Sequence, residues 1–299
     1  MKNQLKTIFL LGVLSALLVA FGSTLGPGFF YGFVFLAILL NFGAYFFSDR
    51  LILKMSGAQE VTREEAPELH AMVEELAQRA QVPKPRVCII PDAQPNAFAT
   101  GRNPKYGVVA VTEGIVNLLT ARELRGVVAH EIAHIKNRDI LVSTIAAVVG
   151  ATIGYLANAL SFASFFGGSQ DDEGEESGSA AGSLLFIFVA PVVSMLVQFG
   201  ISRAREYLAD ETGARLANDP EALARALEKL ERGAKQIPAE TAQPAIASLY
   251  IVNPLIGGGR IANLFSTHPP TAERTRRLRG MDHSEIDLTA EHKRFTHAL

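Results

Sequence analysis

The sequence predicts an α+β protein, mainly helical, in which polar blocks alternate with about four transmembrane helices. Two observations predict it. Apolar residues make up 48% of the 299 residues, with a mean hydropathy of +0.20, and they gather in long runs. Between those runs, stretches with helical spacing of apolar residues alternate with short β-branched runs, as in helices packed on a small sheet. The boundaries that follow are 1–55 for an N-terminal transmembrane hairpin, 56–139 for the first half of a polar domain, 140–201 for a second hairpin and 202–299 for the second half.

The totals exclude some classes. Basic and acidic residues nearly balance, 28 Lys and Arg against 30 Asp and Glu, so no nucleic-acid partner is expected. Cys88 is the only cysteine, which rules out an intramolecular disulfide and any cysteine-rich zinc site, and fits a reducing compartment.

Four segments are apolar enough to span a bilayer, which takes roughly 17–25 residues. The first runs from about Thr7 to Thr24 and the second from about Phe29 to Phe47, joined by the uncharged turn Leu25-Gly26-Pro27-Gly28. Lys2, Lys6 and Ala20-Phe21-Gly22 would also suit a signal peptide, but the second run follows at once and favours a hairpin. The third segment begins near Ile140 and continues to about Phe166. The fourth spans about Ser183 to Ile201, with Pro191 as an expected kink. Arg50, Lys54 and Arg63 follow the second segment, and Arg203 and Arg205 follow the fourth. The loop between the third and fourth holds Asp171, Asp172, Glu173, Glu175 and Glu176 and no Lys or Arg. The positive-inside rule then puts this Gly/Ser-rich loop outside, as a disordered tether, and both polar blocks in the cytoplasm.

The first polar block reads as helix, sheet, helix. Thr62 and Glu65 form a capping box ahead of an amphipathic helix with Leu69, Met72, Val73 and Leu76 on one face. Pro83 and Pro85 close that helix, and Arg86-Val87-Cys88-Ile89-Ile90 has the composition of a buried strand. Asn96 to Gly101 and Gly107 to Thr112 read as two further strands around a turn at Arg102-Asn103-Pro104. One strand, through Asn96, Ala97, Phe98 and Ala99, is expected to border a cleft and bind an extended peptide by its backbone; an ordinary edge strand reads equally well.

A second capping box, Thr120 with Glu123, opens a helix containing Ala129-His130-Glu131-Ile132-Ala133-His134-Ile135. Two histidines four residues apart lie on one helical face and can reach one Zn²⁺ at about 2.0–2.1 Å. Glu131 beside the first histidine can then take a proton from a metal-bound water. Arg122, Arg125, Lys136, Arg138 and Asp139 flank the motif, so this helix lies outside hydrocarbon. Helix, sheet and this second helix are the order a zincin uses. The fold expected is therefore a zincin-like catalytic domain fused to about four transmembrane helices.

A catalytic zinc keeps three protein ligands and leaves one position open. No further histidine follows closely, so the third ligand lies elsewhere. After the fourth apolar segment, Arg203, Glu206 and Asp210 share one face of a helix. Glu206 as ligand and Asp210 as acceptor for a ligand imidazole would complete the site. The same spacing also suits a solvated charged face, and His70, Glu211 and His268 are the other candidates.

The stretches H-E-I-A-H-I-K-N-R-D, S-R-A-R-E-Y-L-A-D and S-T-H-P-P-T, with P-N-A-F-A-T-G, together resemble the HtpX-type membrane metalloproteases. The wider family includes the CAAX prenyl endopeptidases and the mitochondrial Oma-type proteases. The resemblance covers nearly the whole chain, and only the combination of motifs is specific. It implies one zinc per chain held by His130, His134 and Glu206, with Glu131 as general base, Asp210 supporting a ligand, and Asn96 to Gly101 as the substrate-side strand; Arg203, on the same helical face as Asp210, is the further supporting candidate that the spacing offers. It raises His268, otherwise a helix-start residue, to a donor to the transition-state oxyanion. It also implies an inner (plasma) membrane location and a part in clearing damaged or misfolded membrane proteins.

The remaining tail is a helix capped by Asp219-Pro220, an irregular stretch from Gln236 to Phe265, and an Arg-rich helix with Arg274, Arg276, Arg277 and Arg279 as a solvated or lipid-facing basic face. The irregular stretch is a candidate lid and autoinhibitory segment. The reading that results is a membrane-embedded zinc endopeptidase acting on polypeptides from the cytoplasmic side. A zinc-stabilised scaffold or chaperone is the alternative, and Glu131 argues against it. A transporter is disfavoured because the apolar segments hold almost no ionisable groups.

Overall fold

The structure is a computed structural model that describes residues 27–148, 203–238, 246–254 and 269–281, with scattered positions between 8 and 23. Helix α1 (Pro27–Met55) contains the expected second apolar segment and is, among the described residues, the one helix long and apolar enough to cross a membrane. At 1.5 Å per residue it is about 43 Å long, against a hydrocarbon layer of about 30 Å. Its Phe35, Ile38, Leu39 and Phe42 are exposed, as a lipid-facing helix requires. The described positions between 8 and 23 are helical. The fourth apolar segment and the acidic loop lie outside the described residues. The third was expected to start a span at Ile140, but residues 140–148 are helical and packed inside the protein: Ile140, Ile145, Ala147 and Val148 are buried.

The sheet explains why. Strands β1 (Gln59–Glu60), β2 (Arg86–Ile90), β3 (Ala97–Thr100) and β4 (Val108–Thr112) form a four-stranded sheet in the order β1-β2-β4-β3. β2 and β4 run parallel, while β1 and β3 pair antiparallel on the two edges. Successive side chains point to opposite faces, and both faces are covered. Val87, Ala97, Ala99, Val109 and Val111 join the helical core, whereas Cys88, Ile90, Phe98, Val108 and Ala110 pack with Ile52, Leu53, Ala147, Val148 and Tyr250. The end of α1 and the start of the third apolar segment are therefore the second cover of the sheet. Thr100 Oγ1 and Thr144 Oγ1, 2.9 Å apart, tie that cover to β3.

Helix α2 (Pro67–Ala80) corrects one expectation. The Thr62–Glu65 box forms, with the Thr62 N–H donating to Glu65 Oε2 at 2.7 Å and the Glu65 N–H donating to Thr62 Oγ1 at 3.4 Å. It encloses only a turn, and the helix starts later, with Ala66 as N-cap (φ −138°, ψ 63°) and Pro67 in its first turn. The proline ring pushes the preceding residue out of helical geometry while suiting the first helical position itself. The short helix α3 (Glu113–Leu118) then leads into α4 (Ala121–Lys136), whose Thr120–Glu123 box is complete. Helices α5 (Arg203–Ala217), α6 (Pro220–Gln236) and α7 (Thr271–Arg279) pack around α4 and bury Leu223, Leu227, Leu230 and Leu278. Asp219 caps α6 by accepting from the Ala222 N–H at 3.0 Å.

Candidate metal centre

Helix α4 presents His130 and His134 on one face, their rings 4.7 Å apart and edge to face. Helix α5 crosses that face. Gly213 allows the approach, because a Cβ there would lie 2.8 Å from His130 Cα. The crossing brings Glu206 onto the histidines, so that one donor atom from each of the three residues lies within 4.8 Å of the others. The two Nε2 atoms are 3.1 Å apart. Glu206 Oε2 is 3.8 Å from His130 Nε2, and Oε1 is 3.6 Å from His134 Nε2. A tetrahedral ion with bonds of about 2.0–2.1 Å needs donors about 3.3–3.4 Å apart, so this donor set fits zinc in both chemistry and spacing. His70 and Glu211 are elsewhere: His70 Nε2 meets Val61 O at 3.0 Å, and Glu211 is exposed and pairs with Arg215.

Behind each imidazole stands a carboxylate. His130 Nδ1 is 3.0 Å from Asp210 Oδ1, and His134 Nδ1 is 3.2 Å from Asp139 Oδ2. Such contacts fix the ring orientation and leave Nε2 free to coordinate. Asp139 reaches back because Arg138, at φ 58°, turns the chain just after the helix. Sequence reading placed Asp139 only among flanking charges; its position, one turn past His134 at a helix end, was the available signal. Arg203 is exposed at the start of α5. The guanidinium that reaches Asp210 belongs to Arg274 on α7, with Nε to Oδ2 at 2.8 Å and Nη2 to Oδ1 at 2.7 Å. Arg274 is 1% exposed, which corrects its place on a solvated basic face; Arg276, Arg277 and Arg279 are the exposed members of that run.

Glu131 is buried and lines the same cavity as His130, His134 and Glu206, and its Oε1 has no hydrogen-bond partner. Burial pushes its carboxyl up to about 8, with Glu206 adding to the rise and His134 opposing it. Burial also holds His130 below the usual imidazole range in spite of Asp210. For His134 burial acts the same way, but Asp139, Glu206 and Glu131 outweigh it and lift the ring to about 10. The crowded carboxylates thus favour a cation in this cavity.

The residues expected on the substrate side are present at the edge of the sheet, and that edge is covered. The Ile251 N–H donates to Ala97 O at 2.9 Å, and Asn96 Nδ2 donates to Val252 O at 2.7 Å. Phe98 points to the other face, against Tyr250 with ring centroids 5.1 Å apart. Ala99, Ser248, Leu249 and Ile251 join the ligands in lining a cavity of about 20 Å³. That volume suits one water-sized occupant. His268 lies outside the described residues.

Residues 63–282 match Peptidase family M48. The chain is 54% identical over 281 residues to a protein named Protease HtpX homolog from Persephonella marina, covering 92% of this chain and 96% of that one. It is 49% identical over 284 residues to the Protease HtpX homolog of Syntrophobacter fumaroxidans, covering 94% and 100%. Among solved structures, that of S. mikatae Ste24p aligns with 93% of this chain and 65% of its own, at 20% identity and a TM-score of 0.49. With a His-His-Glu cluster and a buried glutamate at the centre of the matched region, the chain belongs to peptidase family M48 and is a metalloprotease.

Proposed function

We propose that this metalloprotease is a membrane-embedded zinc endopeptidase that cuts polypeptides, damaged or misfolded membrane proteins among them, on the cytoplasmic side. The observation that carries the reading is the convergence of His130, His134 and Glu206 beside the unpartnered carboxylate oxygen of Glu131. Zinc, when bound, supplies Lewis acidity, lowering the pKa of water to about 7 and polarising the substrate carbonyl. Glu131 takes the proton of the attacking water and passes it to the leaving amine. Asp210 and Asp139 keep the two imidazoles in register. Arg274 holds Asp210 in turn, and His268 is the proposed donor to the developing oxyanion.

The substrate is proposed to lie along β3, where Asn96, Ala97, Phe98 and Ala99 give backbone groups at the lip of the cavity. The Ile251 N–H occupies Ala97 O on that edge, so the segment around Ile251 leaves β3 before a substrate strand pairs there. Four spans remain the proposed topology, supported by α1 and by the basic residues Arg50, Lys54, Arg203 and Arg205 beside the apolar segments.

The test is cleavage of a denatured protein by the detergent-purified chain, prepared under chelation and then given Zn²⁺, with Glu131→Gln run alongside. Zinc-dependent fragments from the wild type alone are expected. No fragments from either chain at one bound zinc would favour a scaffold, and equal fragments from both would overturn the role of Glu131.

A further inference from the structure

One end of the sheet faces the apolar part of α1. β2 starts there, β3 ends there, and the turn from Arg102 to Tyr106 joins β3 to β4 at the same end. Two contacts fix its height along the helix. Arg86 at the start of β2 reaches Asp49, Nη2 to Oδ2 at 3.4 Å. The Arg102 guanidinium lies over the Phe46 ring, 5.5 Å from its centroid, and stacks on Tyr106 at 3.7 Å. Phe46 and Phe47 are the last aromatic residues of α1, and both remain exposed.

Beyond them the surface is basic. Phe46, Arg50 and Lys54 succeed one another at four-residue steps and form one stripe. Lys105 and Tyr106 are exposed on the turn. Asp49 is answered by Arg86, whereas Arg50, Lys54, Arg102 and Lys105 have no carboxylate partner among the described residues. Aromatic rings flanked by unpaired basic side chains, just where an apolar helix gains its first charges, have the composition of a headgroup-level anchor.

We infer that the β3–β4 turn and the Arg50–Lys54 stripe form a membrane-surface contact that binds anionic lipid headgroups. The inference rests on the reading of α1 as a membrane span. Because the turn continues β3, this contact sets the distance between the lip of the cavity and the bilayer, so a chain leaving the lipid meets β3 at a defined height.

The chain contains no tryptophan, so a single introduced one reports without background. Tyr106→Trp and, separately, Phe35→Trp on the exposed flank of α1 are made in the full-length chain and reconstituted in vesicles. Quenching is titrated with brominated phosphatidylglycerol or brominated phosphatidylcholine. Phe35→Trp is expected to be quenched by both lipids. Tyr106→Trp is expected to prefer the anionic lipid by roughly fivefold, and Arg102→Gln with Lys105→Gln is expected to bring that preference close to parity. Equal quenching of Tyr106→Trp by the two lipids overturns the anionic contact. An unquenched Tyr106→Trp beside a quenched Phe35→Trp overturns the contact while leaving the span in place. If neither is quenched, the span itself fails and the contact with it.

Discussion

Arg274 donates two hydrogen bonds to Asp210, at 2.8 and 2.7 Å, and both partners are buried. Asp210 in turn stands 3.0 Å from His130 Nδ1, so a helix at the far end of the chain sets the orientation of an imidazole on α4. The remaining Nη1 of Arg274 donates to Ile251 O at 3.0 Å, joining the same guanidinium to the segment that covers β3.

Arg274→Ala strands the Asp210 carboxylate in the interior, and breaking a buried pair costs about 3–5 kcal/mol. Chemical unfolding of the chelated protein is expected to show that loss. Zinc competition is expected to show a fall in affinity of about 10–100-fold, because the support behind a ligand is gone. Adding Asp210→Asn to Arg274→Ala is expected to recover part of the stability but none of the affinity. Unchanged affinity in Arg274→Ala would separate the pair from the histidine it faces.

Glu131 gives the metal-free protein a pH dependence whose sign follows from its raised carboxyl. A group lifted from its ordinary value near 4.5 to about 8 binds its proton more tightly in the folded state. Its contribution is complete below about 4.5 and is lost as pH climbs toward 8, by an amount on the order of a few kcal/mol. His134, lifted to about 10, adds a loss of the same sign from about 6.5 upward. Unfolding midpoints of chelated wild type and Glu131→Gln are expected to diverge steadily between pH 5 and pH 8, the variant losing less. Parallel curves would remove Glu131 from the slope.

Ile251→Pro deletes the N–H that donates to Ala97 O. One such bond is worth about 0.5–1.5 kcal/mol, so the uncovered state of β3 is expected to gain about two- to tenfold in population. Turnover of a denatured substrate is expected to rise by the same factor, with Ile251→Ala as the control for the lost side chain. No rise beyond that of the alanine variant would show that covering the strand does not limit the enzyme.

Gly213→Ala places a methyl group 2.8 Å from the backbone of His130. The two ligand-bearing helices must then separate, at a cost of about 1–3 kcal/mol. Zinc affinity is expected to fall together with stability. A stable variant with full affinity would mean that the crossing of α4 and α5 tolerates repacking.

Local signals carried far in this sequence. The Thr120–Glu123 box and the four-residue histidine spacing act within one helix, where neighbours in sequence are neighbours in space. The Thr62–Glu65 box was equally local, yet Pro67 moved the helix start beyond it. Arg274 was hidden by its neighbours Arg276, Arg277 and Arg279, which stay exposed. The signal that distinguishes it is Leu278, one turn later on the same face and buried. Its partner on α5 is a tertiary fact that spacing does not carry. The same holds for residues 140–148, whose apolar run reads as lipid-facing until the sheet that it covers is known.

The cavity gathers residues that leave the ribosome far apart in time. Arg274 follows His130 by 144 positions. At about 5–20 residues per second, roughly 7–30 s separate their synthesis. During that interval His130 exists without the helix that braces it through Asp210. A nascent chain therefore carries a cutting centre with one unsupported imidazole, and that support closes only once α7 has been made.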